Sequence, residues 1–428
     1  MRARKGFAYG VTQEELRRHN LSTLLRYVHE HGPTSRAVLT ASMNLNRSTI
    51  GALTADLSAA GLIEEELPGQ HLGAGRPSLV VVPRAPHVYA LAYMIGVDFL
   101  VAARVGLGGQ VLDRRELYRP RGDYDLEDVM GHLERFTGEL LSSDDIPDGA
   151  LCAGVGAAVP AAVRNADGML RFVPNMNWDD WGDAPLGDIL HRRLVEAFAI
   201  TAPVAIGNDA DLGALAERTR GAAIGCDDVV YLVGEVGVGA GVIAGGEAMS
   251  GHDGYAGEVG HMVVNPSGRL CRCGARGCWE TEIGEPAILA AAGHADGRRA
   301  TVAELVAEAA AGDEKSVRAL EHIGSWIALG VANIVTVFNP SMVIFGGLFG
   351  DVFPAIGGQI RANLLSGSLG VVREGVRLVT PGLGADSTLI GAAEKAFEPL
   401  LADPLGFVHE QAQARAVLDG GRSGAAAS

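Results

Sequence analysis

Three of the five cysteines lie within eight residues of one another, and this cluster constrains the fold more than any other feature of the sequence. The run reads C-x-C-x4-C, and a histidine precedes it by ten residues. Three thiolates and an imidazole make a Cys3His set, which closes a tetrahedral zinc site and leaves no open position for catalysis. We therefore predict a structural Zn²⁺ held by His261, Cys271, Cys273 and Cys278. Three cysteines without a metal are the alternative.

The ends and the apolar runs of the sequence bear on its cellular location. The N-terminus MRARKGFAYG carries positive charges with no apolar stretch behind them, which is not typical of a signal peptide. No apolar run approaches the ~20 residues that a bilayer span needs. We therefore expect a cytoplasmic protein without a membrane partner, since clustered cysteines in that reducing compartment hold metal more often than they form disulfides.

Charge is divided unevenly along the chain. Residues 1–63 hold eight Lys or Arg and four Asp or Glu, a net charge of +4. The whole chain carries −16, which leaves −20 for the remainder. A basic head on an acidic body is typical of a DNA-binding domain joined to a soluble sensing domain. Composition alone also allows a head whose surface is merely basic.

Helical spacing and capping residues predict a helix-turn-helix within the head. After a first helix over residues 21–31, Thr34 or Ser35 caps a short second helix that buries Val38 and Leu39. The turn MNLN follows, and Asn46 caps a longer third helix. A short helix, a tight turn and a longer helix are the arrangement that places one helix in the major groove of DNA.

The first residues of that longer helix are the candidate DNA contacts. Arg47 can donate two hydrogen bonds to guanine, and the hydroxyls of Ser48 and Thr49 suit phosphate or base contacts. Two β-prone runs then flank a Gly-rich loop, as in a wing, and Arg76 in this loop could enter a narrow minor groove. We predict a winged helix-turn-helix domain over residues 1–84. A three-helix subdomain with a solvated arginine, followed by an ordinary linker turn, is the alternative.

The rest of the chain predicts an α/β body. From Tyr89 onward, apolar strands alternate with helical stretches, and glycines stand at the turns. The segments LCAGVGAAVPAAV, APVAIGNDADLGALAE and VANIVTVFNPSMVIFGGLFG follow this pattern. Such alternation is typical of α/β domains.

The segment GEVGHMVVNPSGRLCRCGARGCWE resembles the signature of the ROK family of repressors, open reading frames and sugar kinases. The likeness extends over nearly the whole chain through VPNMNWDD, GNDADLGALAE and NPSMVIFGG, and the head resembles that of the family's transcriptional regulators. It implies a two-lobed, actin-like and sugar-kinase-like α/β body behind the winged helix-turn-helix. We expect the first, smaller lobe at 88–207 and the second at 208–400, with the zinc site, the oligomer contacts and a C-terminal helix. Residues 401–428 are expected to form a partly disordered tail.

The resemblance also implies a sugar site. In the family's N-D-A-N segment, matched here by Asn208-Asp209-Ala210-Asp211, the first two residues bind sugar hydroxyls. The glutamate and histidine of E-x-G-H, matched by residues 258–261, contact the sugar, as does the last glutamate of C-G-x-x-G-C-x-E. The candidate sugar ligands are therefore Asn208, Asp209, Glu258, His261 and Glu280. Solvated surface carboxylates are the alternative for the three acids.

Two loops distinguish a regulator from a kinase. Family kinases open with D-x-G-G-T-K, and aligning on VGLGGQVL places MIGVDF at that position, with Met94 in place of the acid. Their second phosphate loop, G-T-G-x-G, is matched by GEVGVG, in which the charge of Glu235 would repel a triphosphate. We therefore predict that the protein is not an enzyme and has no catalytic residues.

These observations predict a sugar-responsive transcriptional repressor of carbohydrate uptake or metabolism genes. Its partners would be operator DNA and a sugar or sugar phosphate. Because a winged helix usually reads half-sites in pairs, we expect a homodimer or homotetramer. The alternatives are an ATP-dependent sugar kinase with a DNA-binding head, which retains Asp209 as base, and a sugar-binding module whose head binds protein.

Overall fold

The computed structural model describes residues 12–68, 78–121, 125–164, 166–176, 183–294, 299–366 and 370–425. The head consists of three helices beside a small antiparallel sheet of strand order β1-β3-β2. Its elements are α1 (Gln13–His31), β1 (Thr34–Ser35), α2 (Arg36–Ser42), α3 (Arg47–Ala59), β2 (Ile63–Glu66) and β3 (Val80–Pro83). The predicted wing residue Arg76 lies outside the described residues.

Side-chain caps begin both helices of the turn motif. Ser35 Oγ accepts from Val38 N (3.3 Å), and Asn46 Oδ1 accepts from Thr49 N (2.8 Å), as the sequence predicts. Leu39 is fully buried in the head core, but Val38 is 44% exposed, so the prediction for Val38 is wrong. The reason is geometric: adjacent residues of a helix point about 100° apart, and so short a helix turns one face inward.

The first sheet of the body has the strand order β10-β7-β4-β5-β6, and a two-stranded β8-β9 ribbon follows β7 in the chain. Helices α4 and α5 cover one of its faces, with Leu133 and Leu194 buried against Leu91 and Val155. The elements are β4 (Val88–Ile95), β5 (Phe99–Gly106), β6 (Val111–Tyr118), α4 (Leu126–Leu141), β7 (Leu151–Val159), β8 (Ala162–Arg164), β9 (Met169–Phe172), α5 (Leu186–Phe198) and β10 (Val204–Asn208).

The second sheet has the strand order β13-β12-β11-β14-β15. Its strands are β11 (Val229–Gly234), β12 (Val238–Ala244), β13 (Glu247–Ala248), β14 (Met342–Gly347) and β15 (Arg377–Val379). The helices from residue 209 onward are α6 (Asp209–Arg220), α7 (Glu280–Ile283), α8 (Glu285–Ala292), α9 (Arg299–Ala310), α10 (Glu314–Phe338), α11 (Leu348–Leu365), α12 (Gly370–Arg373), α13 (Ser387–Ala402) and α14 (Pro404–Ala425). Helix α6 packs on one face, and α10 and α11 lie on the other.

Helix α13 crosses the boundary expected between the lobes. We assigned residues 208–400 to the second lobe, but α13 packs on β4 and β7 of the first sheet and also on α6. A Cβ on Gly154 or Gly156 would lie 2.2 or 1.9 Å from a carbonyl oxygen of α13. Glycine at these two positions lets the helix lie directly on the strand, so the first lobe is built from two separate parts of the chain.

The C-terminal segment also differs from the expectation. Residues 401–428 were expected to form a partly disordered tail, whereas α14 extends from Pro404 to Ala425. Phe407 is buried in the core shared by the head and the first sheet, and α14 contacts α1 and α13. Burial of this apolar side chain on neighbouring helices stabilises a helix that its glycine-rich sequence alone would not predict.

Helix α10 is the one described helix that is long and apolar enough to cross a membrane. Half of that apolar window is buried inside the protein, against α8, α9 and α11. The sequence predicts no membrane span, and a buried core helix can be as long and as apolar as a helix that crosses a membrane. We interpret α10 as the core helix of the second lobe.

Candidate functional site

A cleft opens where the first sheet, the β11–β12 turn and the loop that carries the three cysteines meet. We call this loop, residues 271–278, the cysteine loop. The space between the walls of the cleft is about 760 Å³, a figure that includes the part open to solvent. All five predicted sugar ligands line it: Asn208, Asp209, Glu258, His261 and Glu280. They come from three segments of the chain, and tertiary folding brings them together.

Asn208 ends β10 and caps α6. Its Oδ1 accepts from Ala210 N (2.8 Å) and Asp211 N (3.3 Å), and its Nδ2 donates to Ala161 O (3.1 Å). These three hydrogen bonds use most of the donors and acceptors of the amide, and they hold the first turn of α6 against the first sheet. The arrangement fixes the direction in which the next residue, Asp209, enters the cleft.

Two carboxyls of the first turn of α6 have strongly shifted pKa values. Burial, with the charge of Glu258 nearby, raises the pKa of Asp209 to about 7 and that of Asp211 to about 7. The Ala210 N–H donates to Asp209 Oδ1 (2.8 Å) and partly opposes this shift. Burial also raises the pKa of Glu258. The cleft thus concentrates acidic groups, and polyol hydroxyls can donate hydrogen bonds to them.

The other side of the cleft comes from the segment that precedes the cysteines. Glu258 begins a short 3-10 helix (Val259–His261), which places its Oε2 3.9 Å from His261 Nε2. The Nδ1 of the same imidazole lies 3.6 Å from Cys271 Sγ. One ring nitrogen therefore faces the cleft and the other faces the cysteine loop, as a residue shared by a ligand site and a metal site requires.

The four predicted metal ligands converge. Their ligand atoms all lie within 4.8 Å of one another, and Cys273 Sγ lies 3.5 Å from Cys278 Sγ. Ligand atoms on a tetrahedral Zn²⁺ are about 3.3–3.8 Å apart, as follows from Zn–S and Zn–N lengths of about 2.3 and 2.0 Å. The donor set is that of a structural zinc site, and the Cys273–Cys278 (3.5 Å) and Cys271–His261 (3.6 Å) separations lie in this range, while all four ligand atoms lie within 4.8 Å of one another.

Close backbone contacts build the cysteine loop. Gly277 has φ +74°, and a Cβ there would lie 1.5 Å from Asn265 O, so no other residue fits. The indole of the fully buried Trp279 donates to Trp326 O (2.8 Å) on α10. Glu280 follows directly, and Cys271 Sγ donates to its Oε1 (3.0 Å). The loop is thus anchored to the core helix and carries one wall of the cleft.

Phe172, Asn175 and Asp211 are among the cleft residues that the sequence motifs did not identify as ligands. The ring of Phe172 lies 6.2 Å from that of His261 in an edge-on arrangement. Asn175 approaches so closely that a Cβ on Gly237 would lie 2.5 Å from its Nδ2. The signal for Asn175 was present in VPNMNWDD, but a short polar motif does not say which of its side chains points inward.

The predicted DNA contacts lie at the start of α3, far in the chain from the cleft. Arg47 and Ser48 are exposed and Thr49 is half-buried. Both hydroxyls donate to Asn46 Oδ1, at 2.6 and 3.0 Å. Of the five arginines within residues 12–68, the other four form ion pairs with acids, whereas Arg47 has none with the described residues. Arg47 is therefore the exposed arginine of residues 12–68 that forms no ion pair with a described acid.

Comparison with known proteins identifies the family. The model described as "ROK family" matches residues 91–397, which is most of the chain. The chain belongs to the ROK family. The xylose repressor of Bacillus subtilis (strain 168) is 28% identical over 381 residues, which cover 89% of this chain and 95% of the repressor.

Solved structures of the same fold cover most of the chain. A ROK family transcriptional regulator, described as a homologue of the E. coli MLC protein, covers 92% of this chain and 98% of its own, with a TM-score of 0.73 and 24% identity. A ROK family glucokinase from Streptomyces griseus, in complex with glucose and AMPPNP, covers 72% of this chain and 98% of its own, with a TM-score of 0.60 and 26% identity. The regulator and the glucokinase thus both have the fold of this α/β body.

In this ROK protein, buried polar contacts join the head to the body. His29 of α1 is fully buried and its Nε2 lies 2.9 Å from Glu394 Oε2 on α13. The Gly108 N–H donates to His29 Nδ1 (2.9 Å), so Nε2 carries the proton and donates to Glu394. Arg220 Nε, at the end of α6, donates to the other carboxylate oxygen (2.5 Å). We name His29, Arg220 and Glu394 the docking triad.

Proposed function

We propose that this ROK protein is a cytoplasmic, sugar-responsive transcriptional repressor of carbohydrate genes. The head would bind operator DNA through Arg47, Ser48, Thr49 and Arg76, and the cleft would bind the sugar. The observation that supports this most is the convergence of Asn208, Asp209, Glu258, His261 and Glu280 in one cleft. The similarity to the xylose repressor makes D-xylose the first sugar to test. As a winged-helix protein it would act as a dimer or tetramer.

The cysteine cluster would hold a structural Zn²⁺ through His261 Nδ1 and three thiolates. When bound, the ion supplies a fixed tetrahedral link and no open position for chemistry. His261 would then be held with Nε2 toward the cleft, and Glu280 would be held against Gly237. The metal would therefore shape the sugar site without taking part in a reaction.

The phosphate loops support a repressor over a sugar kinase. Residues 94–99 form the end of β4, a tight turn and the start of β5, where the ring of Phe99 fills the space beside Gly96. The adjoining cavity is lined by apolar side chains together with Asp98, Asp209 and Glu235, and none of its described lining residues is Lys or Arg. A triphosphate would meet carboxylates among these lining residues, and the neighbouring Arg121 is already paired with Asp98 (3.0 Å), unlike the cations of phosphoryl-transfer sites.

Two helices give a path from the cleft to the head. Helix α6 begins at Asp209 in the cleft and ends at Arg220 in the docking triad. Helix α13 begins beside the same aspartate, where Thr388 Oγ1 donates to Asp209 O (3.2 Å), and carries Glu394 one and a half turns later. A sugar that shifts the start of α6 would therefore shift the surface on which α1 is docked.

Sugar and operator binding should accordingly be linked, with a coupling of about 1–3 kcal/mol, or roughly 5- to 150-fold in operator affinity. Glu258→Ala should lose this response, because it removes a cleft carboxylate, while operator affinity without sugar stays close to that of the parent. Fluorescence anisotropy with operator DNA, with and without D-xylose, D-glucose or N-acetyl-D-glucosamine, measures it. A parent-like response in Glu258→Ala would place the sensor elsewhere, and sugar-dependent ATP turnover would favour the kinase.

Arg47→Ala should weaken binding to the specific operator by about 1–3 kcal/mol, if its guanidinium reads a guanine. Arg18→Ala is the matched control, because that arginine is exposed on α1 and pairs with Asp403 at 3.8 Å. Gel shifts with operator and with scrambled DNA separate loss of base reading from loss of charge. Equal effects of the two substitutions on both DNAs would contradict a base contact by Arg47.

A further inference from the structure

The cleft carries negative charge on several sides. Its described lining residues include five carboxylates, namely Asp209, Asp211, Glu235, Glu258 and Glu280. They include one imidazole, His261, and no Lys or Arg. A ligand in this cleft therefore meets five acids of the second lobe, and none of the described lining residues is a Lys or Arg.

The metal would not reverse this charge. In a Cys3His site the ligands are thiolates, and three of them outweigh the two charges of Zn²⁺. The filled site next to His261 therefore remains formally negative. Helix α6 contributes the positive end of its dipole at Asp209, but this effect is confined to the first turn and is smaller than a full charge.

Asp211 stands out among these acids. The residue is half-buried in the first turn of α6, and its carboxylate makes no hydrogen bond or ion pair with the described residues. The cation that acts on it is Lys395, which is exposed on α13 and does not line the cleft. Its charge is therefore directed at whatever occupies the cleft.

We propose that Asp211 sets the charge selectivity of the cleft, which admits uncharged or cationic sugars and rejects sugar phosphates and other anionic sugars. The proposal rests on the proposed function, since it concerns the effector of the same site. Like charges a few ångströms apart in a partly desolvated site repel strongly, whereas a neutral hydroxyl can donate to each carboxylate. An effector that carried a phosphate would have to bring it among five acids.

Titration calorimetry with the full-length protein tests this with matched pairs of probes at pH 8, where Asp209 and Asp211, whose pKa values are about 7, are mostly ionised. The pairs are D-glucose with D-glucose 6-phosphate, and N-acetyl-D-glucosamine with its 6-phosphate; D-xylose and D-glucosamine complete the panel. We expect the free sugar of a recognised pair to bind at least about tenfold more tightly than its phosphate, since tenfold needs only a modest difference in repulsion. Asp211→Asn, which keeps the shape and removes the charge, should reduce that ratio about tenfold.

Asp188→Asn is the matched control, because it makes the same chemical change on the exposed surface of α5, outside the cleft lining. It should leave the ratio as in the parent. A sugar phosphate that binds more tightly than its free sugar overturns the proposal, as does a ratio that Asp211→Asn leaves unchanged. Both results leave sugar sensing intact. If no sugar of any charge binds, the proposed function itself fails, and the inference with it.

Discussion

Replacing Cys278 with serine should reduce the bound zinc from one ion per chain to almost none, and should weaken sugar binding by more than about 100-fold. Replacing a residue that only hydrogen-bonds to a metal ligand typically lowers metal affinity 10- to 100-fold, and loss of a thiolate ligand lowers it further. Cys278 is fully buried and its Sγ lies 3.5 Å from that of Cys273. Without the metal, the segment from residue 271 to Glu280 loses the link that holds it to His261.

Cys226→Ser is the matched control for this experiment. Cys226 is half-buried and lies outside the metal cluster, where it accepts a hydrogen bond from Arg377 (2.8 Å). Elemental analysis of protein purified without added metal should find zinc in the parent and in Cys226→Ser alike. Stoichiometric zinc in Cys278→Ser would contradict the ligand set, and parent-like sugar affinity in a metal-free protein would contradict the role of the metal in shaping the cleft.

Removing the carboxylate of the docking triad should have the second large effect. Glu394→Ala should lower the free energy of unfolding by about 3–5 kcal/mol, because it leaves Arg220 buried without its counter-charge. Burial alone would raise the pKa of Glu394, but His29 and Arg220 lower it to about 2. A carboxyl with a lowered pKa stabilises the fold above its unfolded value of 4.5, so this contribution should persist at neutral pH and fade as pH falls toward 2.

Glu398→Ala provides the comparison, one turn further along α13. Glu398 pairs with Arg26 of the head through two hydrogen bonds (3.0 and 3.1 Å), but both side chains are substantially exposed. Its loss should cost no more than about 1 kcal/mol, as for surface ion pairs. Urea unfolding of the two variants separates these values. Equal losses would show that the triad is no stronger than the surface pair.

The triad also tests the proposed path from sugar to DNA. Glu394→Gln keeps a hydrogen-bond acceptor on α13 and loses the charge, so it is the variant more apt to fold. We expect it to bind sugar and operator separately, with a smaller coupling between them, because the head would be held less firmly to α6 and α13. Unchanged coupling in a folded Glu394→Gln protein would mean that the signal reaches the head by another route.

Several features of the molecule follow from short stretches of sequence. The caps at Ser35 and Asn46 and the close spacing of the three cysteines each depend on residues within a few positions of one another. Such signals can be read directly, because backbone sterics and ligand geometry act over the same short distances. The prediction for Val38 is wrong because adjacent residues of a helix point in different directions, and Leu39 is the one that faces the core.

The sequence by itself identified the Cys3His cluster, the turn motif of the head and, through its motifs, acids that line the cleft. Tertiary structure alone decided that α13 lies on the first sheet, that α14 is a helix and that Glu394 joins His29 to Arg220. It also decided that the Asp211 carboxylate lines the same cleft as Glu258. Such pairings join residues far apart in the chain, and the packing of whole helices and sheets selects them, whereas periodicity and spacing report only on neighbours.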